Sequence, residues 1–577
     1  MNSRDGTCHS LHSIVFLALL NLAWPCAALA ETPADPVEVE IGRRIYQEGV
    51  LSDGSPLTGL RFGQDKVEGA QAACMSCHRR SGLGAVEGDL QVSPITGKFL
   101  YGSGRAIAIM DPRSGKRFNR HHASYTDDTL AVAIRAGTNV DGAEMNPMMP
   151  RYELDERDMH CLTVYLKQLS AQWSPGIDAN VIHFATVIAP GVSEERRQAL
   201  VDLLQTVVKL KNNSTRLKND PRGRRHMVSA AEFVLGTERK WQWHFWELSG
   251  APDSWNEQLQ RYYRQQPVFA LVSGLSESTW QPVHDFCRNE GMPCWFPSID
   301  LPPPEEEFHS AYFSRGVALE ADALARYWSK LPAATRPHRV VQIRRDDPVG
   351  ETAEDALERA LQPLGIAAEE RVLRPADRDG LADALKRLKA GDAAVLWLRR
   401  ADLIRLPERI PAAKIYWSGQ MIGGEAAPIP ARWKSEAYMV SPYELPEKRA
   451  GNLMLFHDWM QRFQLKMVDE PLQAQAFFAM DFLGETVAEM LDNLQRDYLL
   501  ERAESMLSRR ETAKSSSLAL QRGSRGQAHG EFGHNESTTI YPHMGLGVGQ
   551  RFASKGAYIL RFDPAGKPAD ESDWIVP

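Results

Sequence analysis

The chain has 577 residues, 43% hydrophobic, 24% charged and 8% aromatic, with a formal net charge of −7. That balance excludes a basic nucleic-acid binder and a disordered acidic chain, and 42 glycines and 35 prolines exclude collagen-like and low-complexity classes. At roughly 100–200 residues per domain the chain holds several domains, and seven cysteines are too few for a disulfide scaffold of this length.

Residues 1–30 read as a removed secretory signal. Arg4 lies in a short polar stretch, Ile14 to Trp24 is mostly apolar, and Ala28-Leu29-Ala30 has the small-x-small pattern of a processing site. The apolar run is short of the roughly 20 residues that span a bilayer. Trp24-Pro25 before Cys26 is too bulky and rigid for lipidation. Removal of the signal takes away Arg4 and Asp5 together, so the net charge stays at −7. The expected location is the periplasm.

Cys74-Met75-Ser76-Cys77-His78 is the chain's one C-x-x-C-H motif, the attachment pattern for c-type haem. Two thiols three positions apart can each add to a vinyl group of one porphyrin, and the adjacent imidazole of His78 is placed under the iron. A zinc site needs further Cys or His ligands nearby, and none follows. A thioredoxin-like site needs a βαβ context, and the neighbourhood is Gly-rich. One motif implies one covalent haem and excludes a dihaem peroxidase.

Around the motif, residues 37–172 resemble class I cytochrome c. Gly42 and Tyr46 lie four apart on a helix ahead of the motif. A second helix, carrying Leu162 and Tyr165, follows Tyr152-Glu153-Leu154-Asp155. Met148-Met149-Pro150 precedes that helix. The resemblance implies an all-α domain with Met149 as second axial ligand opposite His78, a pairing that raises the potential and favours electron transfer. Met145 and Met148 share the loop and remain alternatives. His160 is a weaker rival on the closing helix, and His121 and His122 read as a surface pair.

Residues 173–180, centred on Pro175-Gly176, read as a linker. Beyond it, strand and helix patterns alternate. Phe184 to Ile188 precedes a helix capped by Ser193 with Leu200, Leu203, Leu204, Val207 and Val208 at helical spacing. Strands are expected at 268–272, 340–343, 393–398 and 414–417, with helices near 279–288 and 354–361. That order implies parallel sheets covered on both faces, and about four hundred residues suit two lobes. Chain crossings between the lobes are expected at 314–317 and 440–443.

Residues 181–577 resemble the type 1 periplasmic binding fold, in the branch serving amino-acid ABC transporters. The resembling segments are Pro267 to Gly274, Met292 to Pro297, Tyr312 to Gly316 and Asp346 to Gly350. The resemblance implies two α/β lobes and a small amino-acid-like ligand between them. The ligand candidates are Ser273, Ser276, Ser278 and Thr279 ahead of a helix, with Tyr312, Ser314 and Ser418 at strand ends; plain N-capping by Ser278 is the competing role. Cys287 and Cys294, with Gly291 and Pro293 between them, suit a disulfide in an oxidising compartment, and Cys161 is left as a buried thiol. Trp241, Trp243 and Trp246 read as packing. The basic segment 209–243 and the Ser-, Gly- and Arg-rich segment 502–536 depart from the family pattern, the latter resembling a mobile insertion.

No metal triad, nucleophile elbow or phosphate loop is present, so an electron carrier and binding protein is expected rather than an enzyme. The expected partners are a periplasmic dehydrogenase or oxidase and a small polar molecule. The competing class is a solute-binding or sensing protein in which the haem is accessory.

Overall fold

The computed structural model describes residues 34–577 except 88–89, 103–121, 220–237, 306, 375–379, 409–412, 435, 524–538 and 564–565. The signal segment and His121 lie outside the described residues.

The N-terminal domain is built on two helices, α1 (Pro36–Glu48) and α5 (Glu156–Gln168), with α2 (Met75–His78), α3 (Gly97–Leu100) and α4 (Asp127–Ala136) between them. Asp35 caps α1 and Asp155 caps α5 through backbone N–H groups of the first turn. The helices approach so closely that a Cβ on Gly42 would lie 2.1 Å from the Cys161 carbonyl oxygen. Tyr46 and Tyr165 fill the contact beside it, ring centroids 5.4 Å apart. Around them Ile45, Leu57, Leu130, Ile134, Leu162 and Leu166 form the core. The helical domain also carries a small antiparallel sheet, β2 (Asp65–Glu68), β1 (Thr58–Arg61) and β5 (Arg151–Tyr152), and a hairpin of β3 (Ala85–Glu87) and β4 (Leu90–Val92).

The rest of the chain forms two α/β lobes. The first has a parallel sheet, β11 (Ser298–Ile299), β9 (Leu275–Ser276), β6 (Val181–Ile188), β8 (Ala270–Val272), β10 (Cys294–Trp295) and β12 (Ser310–Ala311), with β7 (Lys240–Glu247) also paired to β6. Helices α6 (Glu194–Asn219), α7 (Trp255–Gln265) and α8 (Gln281–Asn289) cover it. The second lobe has the order β14 (Ala367–Leu373), β13 (Arg339–Arg345), β15 (Asp392–Trp397), β16 (Lys414–Ser418), β17 (Ala437–Ser441), β18 (Tyr558–Phe562), β19 (Pro568–Asp570), with α9 (Val317–Lys330) and α10 (Pro348–Leu361) on one face. Apolar strands such as Asp392–Trp397 are buried on both sides, as parallel sheets require. Trp241 and Trp246 are core residues, and the Trp243 indole donates to Thr186 Oγ1 at 2.9 Å.

The chain crosses between lobes at 312–317 and 441–445, and a third time at 541–557. Tyr312 and Phe552 form a single parallel bridge, and the Glu444 N–H donates to the Ile540 carbonyl at 2.7 Å. The second crossing returns the chain to the first lobe for two long helices, α11 (Glu470–Met490) and α12 (Arg496–Gly523). Residues 502–523, read from the sequence as part of a mobile insertion, are therefore helical. Their buried Ala503, Met506 and Leu507 belong to the first lobe's core and outweigh the polar composition that follows.

The linker is held by specific contacts, and one further sequence reading changes. The segment 173–180 is an ordered connector. The Trp173 indole donates to Asp492 O at 3.1 Å and stacks under the Arg239 guanidinium, and a Cβ on Gly176 (φ +90°) would meet Phe269 N at 2.2 Å. Cys287 and Cys294 are free thiols, not a disulfide. The return between them is closed by the backbone, Met292 N–H to Cys287 O at 2.8 Å, and the Trp280 indole donates to Cys294 Sγ at 3.4 Å. Burial, then the neighbouring Cys294, holds the Cys287 thiol well above its ordinary value.

Gly42→Val should drive α1 and α5 apart. Urea unfolding is expected to show a loss of about 1–3 kcal/mol, typical of overpacking, with Gly42→Ala milder.

Candidate functional site

Helix α2 is a single turn, too short to be stable by itself. It is held from both sides by tyrosines. Tyr46 Oη of α1 donates to the Arg79 carbonyl at 2.7 Å, just after the motif, and Tyr152 Oη of β5 donates to the Ala72 carbonyl at 2.9 Å, just before it. Burial raises both hydroxyls well above their ordinary range, so they remain donors.

His78 Nδ1 lies 2.9 Å from the Ser93 carbonyl oxygen. A carbonyl only accepts, so Nδ1 carries the proton and Nε2 keeps its lone pair. This is the backbone support that fixes a ligating imidazole. Burial lowers the His78 pKa against the opposing effect of that bond, so the ring is held neutral. Cys74 and Cys77 are unpaired and partly buried. Burial pushes the Cys74 thiol up to about 12. These three donors fit a covalent haem by type, spacing and tautomer.

The methionines of the 144–150 loop separate by position. Met149 packs against the same core as Cys74 and Met75, whereas Met148 is 44% exposed and Met145 is outside that core. The Arg151 guanidinium holds the loop, donating to the Met149 carbonyl at 2.7 Å and to the Met145 carbonyl at 3.0 Å. His160 is exposed and pairs with Glu38 at 3.6 Å, and His122 is half-buried with Nδ1 donating to the Ala123 carbonyl at 2.7 Å.

Arg79 has φ +67° and ψ 171°, a region costing a non-glycine residue about 1–3 kcal/mol. Its carbonyl is held by Tyr46 and its guanidinium pairs with Glu504 of α12. Two residues on, the Ser81 N–H donates to Glu501 Oε1 at 2.9 Å and its hydroxyl lies 2.5 Å from Glu501 Oε2. Arg80 pairs with Asp497 at 3.2 Å. Leu83 and Phe99 of the first domain sit in the first lobe's core. The haem motif is thus docked on one face of α12.

The sequence-predicted cleft residues are dispersed. Ser276 Oγ receives the Ser278 N–H at 3.1 Å and lies 3.2 Å from the Thr279 carbonyl, and Thr279 Oγ1 accepts from the Gln281 N–H at 3.1 Å. Ser314 Oγ accepts from the Gly316 N–H at 3.1 Å, Ser418 pairs with Glu320, and Tyr312 Oη lies 2.8 Å from His284 Nδ1. Ser273 Oγ is buried with no hydrogen-bond partner. Across this side of the cleft Arg399 of the second lobe reaches Asp300 at 2.6 Å and the Glu277 carbonyl at 2.6 Å.

A cavity of about 430 Å³ lies elsewhere between the lobes. The second lobe contributes Arg400 and Gly423 to Ala426, the second crossing contributes Tyr443, and the first lobe contributes Met467 to Pro471 and Ile540. Gly423 and Gly424 both have positive φ, +82° and +78°. Arg449 pairs with Glu425 and lies 3.4 Å from Glu470, while Asp469 pairs with Arg196 at 2.9 Å. Charges of both signs line the space. None of these residues stood in a recognisable motif. By contrast, Asp497, Glu501 and Glu504 are spaced four and three apart, an acidic stripe legible on a helix.

A cytochrome c family model matches residues 68–170; those residues are a cytochrome c domain. No curated protein matches the chain. Among solved structures, the chain is similar to a fatty acid ABC transporter substrate-binding protein from Thermomonospora curvata (12% identity, 70% of this chain and 95% of that one, TM-score 0.47). It is likewise similar to a leucine binding protein from Thermotoga maritima (12% identity, 69% and 99%, TM-score 0.47). Among the described residues no helix is long and apolar enough to cross a membrane.

Glu501 is fully enclosed, and burial raises its carboxyl to about 8 from an ordinary 4.5, against the lowering effect of Ser81. A carboxyl raised on folding binds its proton more tightly in the folded state. Its stabilising contribution is complete below the unfolded pKa and is lost as pH climbs through about 8. Thermal melts of the full chain should therefore show the junction weakening between about pH 5 and about pH 9, and Glu501→Gln should flatten that slope.

Proposed function

We propose that the chain is a periplasmic mono-haem c-type cytochrome that carries single electrons to or from a dehydrogenase or oxidase, with a two-lobed module that binds a small zwitterionic, amino-acid-like molecule. The observation that carries the first part is the His78 Nδ1–Ser93 bond, which leaves Nε2 free as a ligand beside two unpaired cysteines. When bound, the haem supplies one-electron redox chemistry tuned by its axial ligands.

The residues divide the work. Cys74 and Cys77 would hold the porphyrin through their sulfurs, and His78 Nε2 and the Met149 thioether would be the donors to its iron. Tyr46 and Tyr152 fix the ends of the motif so that His78 keeps its orientation through a redox cycle. Leu57, Leu100, Leu130 and Leu154 keep water from the site. Export through the 1–30 signal supplies the compartment in which haem is attached.

For the second part, Arg400 and the Gly423–Gly424 backbone suit a carboxylate, and Glu425, Asp469 and Glu470, each also paired with an arginine, present acidic oxygens toward an ammonium. This cavity, rather than the Ser273 to Thr279 loop, is the proposed pocket. The arrangement fits a free amino acid or a short zwitterion.

Met149→Ala is expected to lower the midpoint potential and to open the haem to carbon monoxide, because a thioether donor raises the potential. Met148→Ala should do neither. If Met148→Ala or Met145→Ala alone has that effect, the ligand is one of those two. Staining of a denaturing gel for haem should be lost only when both Cys74 and Cys77 are replaced.

In a thermal-shift panel of glycine, leucine, glutamate and glycine betaine, a true ligand at a hundred times its Kd adds about 2.7 kcal/mol. Arg400→Ala should abolish that gain without altering the haem spectrum. A panel in which nothing stabilises the full chain would count against the pocket.

A further inference from the structure

The haem motif and the interlobe hinge share one buried carboxylate. Glu504 of α12 pairs with Arg79, the residue after His78, and with Arg551 of the third crossing. Glu504 is 4% and Arg551 2% exposed, so both charges depend on this network. A second bridge runs beside it. The Phe308 ring lies against both the Arg80 guanidinium, 5.1 Å from its centroid, and that of Arg551, 4.9 Å away. Asp497 ties Arg80 at 3.2 Å to His309 at 3.1 Å.

Arg551 stands at the first-lobe end of the third crossing, with Phe552 and Ala553 after it packed in that lobe. Its carbonyl accepts from the Tyr312 N–H of the first crossing at 2.8 Å, and Ala553 and Ser554 donate to the Tyr312 and Phe313 carbonyls at 2.9 and 2.7 Å. Three residues beyond Ser554, Ala557 belongs to the second lobe's core. Rotation of the lobes is absorbed by a few backbone angles of such crossings. A turn of the lobes at 554–557 bears on Arg551 through the residues that follow it, Arg551 is paired with Glu504, and Glu504 holds the strained Arg79.

We propose that Glu504, clamped between Arg79 and Arg551, couples the posture of the two lobes to the haem. Lobe closure thereby changes the haem's midpoint potential, and the haem's oxidation state changes lobe closure. This inference rests on the electron-carrier and binding-module reading above and adds its regulation. Reciprocity is required, since a coupling free energy between two equilibria acts equally in both directions. A tenfold coupling corresponds to a shift of about 59 mV for a one-electron couple.

The test is a spectroelectrochemical titration of the full-length haem-loaded chain. Arg399→Ala removes the contacts to Asp300 and Glu277 that join the lobes, and Asp300→Ala removes the ion pair from the other side. Both should displace the midpoint potential in the same direction. In a Glu504→Gln background the displacement should vanish. If Glu504→Gln fails to fold, Arg551→Met cuts the same link. Hydrogen exchange of the 75–84 amides should likewise respond to Arg399→Ala only while Glu504 is present. Potentials that ignore both lobe variants, or a displacement that survives loss of Glu504, would overturn the coupling. A wild-type chain with no reversible haem signal is a different result and refutes the electron-carrier reading itself.

Discussion

A helix of four residues cannot hold a haem ligand in place by its own hydrogen bonds, and Met75–His78 is such a helix. Everything that fixes His78 comes from outside it: Tyr46 on α1, Tyr152 on β5, the Ser93 carbonyl in the following loop, and the face of α12. The close packing of α1 on α5 at Gly42 matters because it seats Tyr46. The small sheet matters because β5 carries Tyr152 on one side and follows Met149 on the other. The domain's architecture is thus a scaffold that fixes the His78 imidazole and packs Met149 against the same core.

The docking of this domain on the first lobe turns two domains into a continuous body. Charged hydrogen bonds are worth about 1.5–3 kcal/mol each when buried partners are satisfied. Glu504 supplies such contacts to Arg79 and Arg551, Glu501 adds neutral hydrogen bonds to Ser81, and Leu83 and Phe99 add apolar burial in the lobe's own core. A freely diffusing cytochrome on a flexible tether needs none of these contacts. Their presence gives the haem a fixed position relative to the cleft.

Much of this was legible in the sequence because the signals were local. The C-x-x-C-H spacing marked the haem motif, alternating strands and helices marked the two lobes, and Gly42, Tyr46, Leu162 and Tyr165 marked the helix contact. Met149 was favoured by its place before Pro150, and its core packing separates it from Met148. What was not legible depends on long-range placement. Ser93 acts through a carbonyl that any residue could supply. Arg551 acts on Glu504, 47 positions away, through a pairing no local pattern announces. The pocket assembles from Arg400, Gly424 and Asp469, which no spacing connects. The acidic stripe of Asp497, Glu501 and Glu504 was visible, but the polar composition after it suggested a mobile segment, and the cysteines at 287 and 294 lay at a spacing that suited a disulfide they do not form.

The central claim is that this chain holds one haem, ligated from both sides, that passes one electron. Coulometric titration of the purified full-length protein, followed by addition of carbon monoxide to the reduced form, tests it most directly. The account requires one reversible electron per chain and a reduced spectrum that carbon monoxide leaves unchanged. Two electrons per chain, an irreversible step, or immediate carbon monoxide binding by the wild-type protein would contradict it.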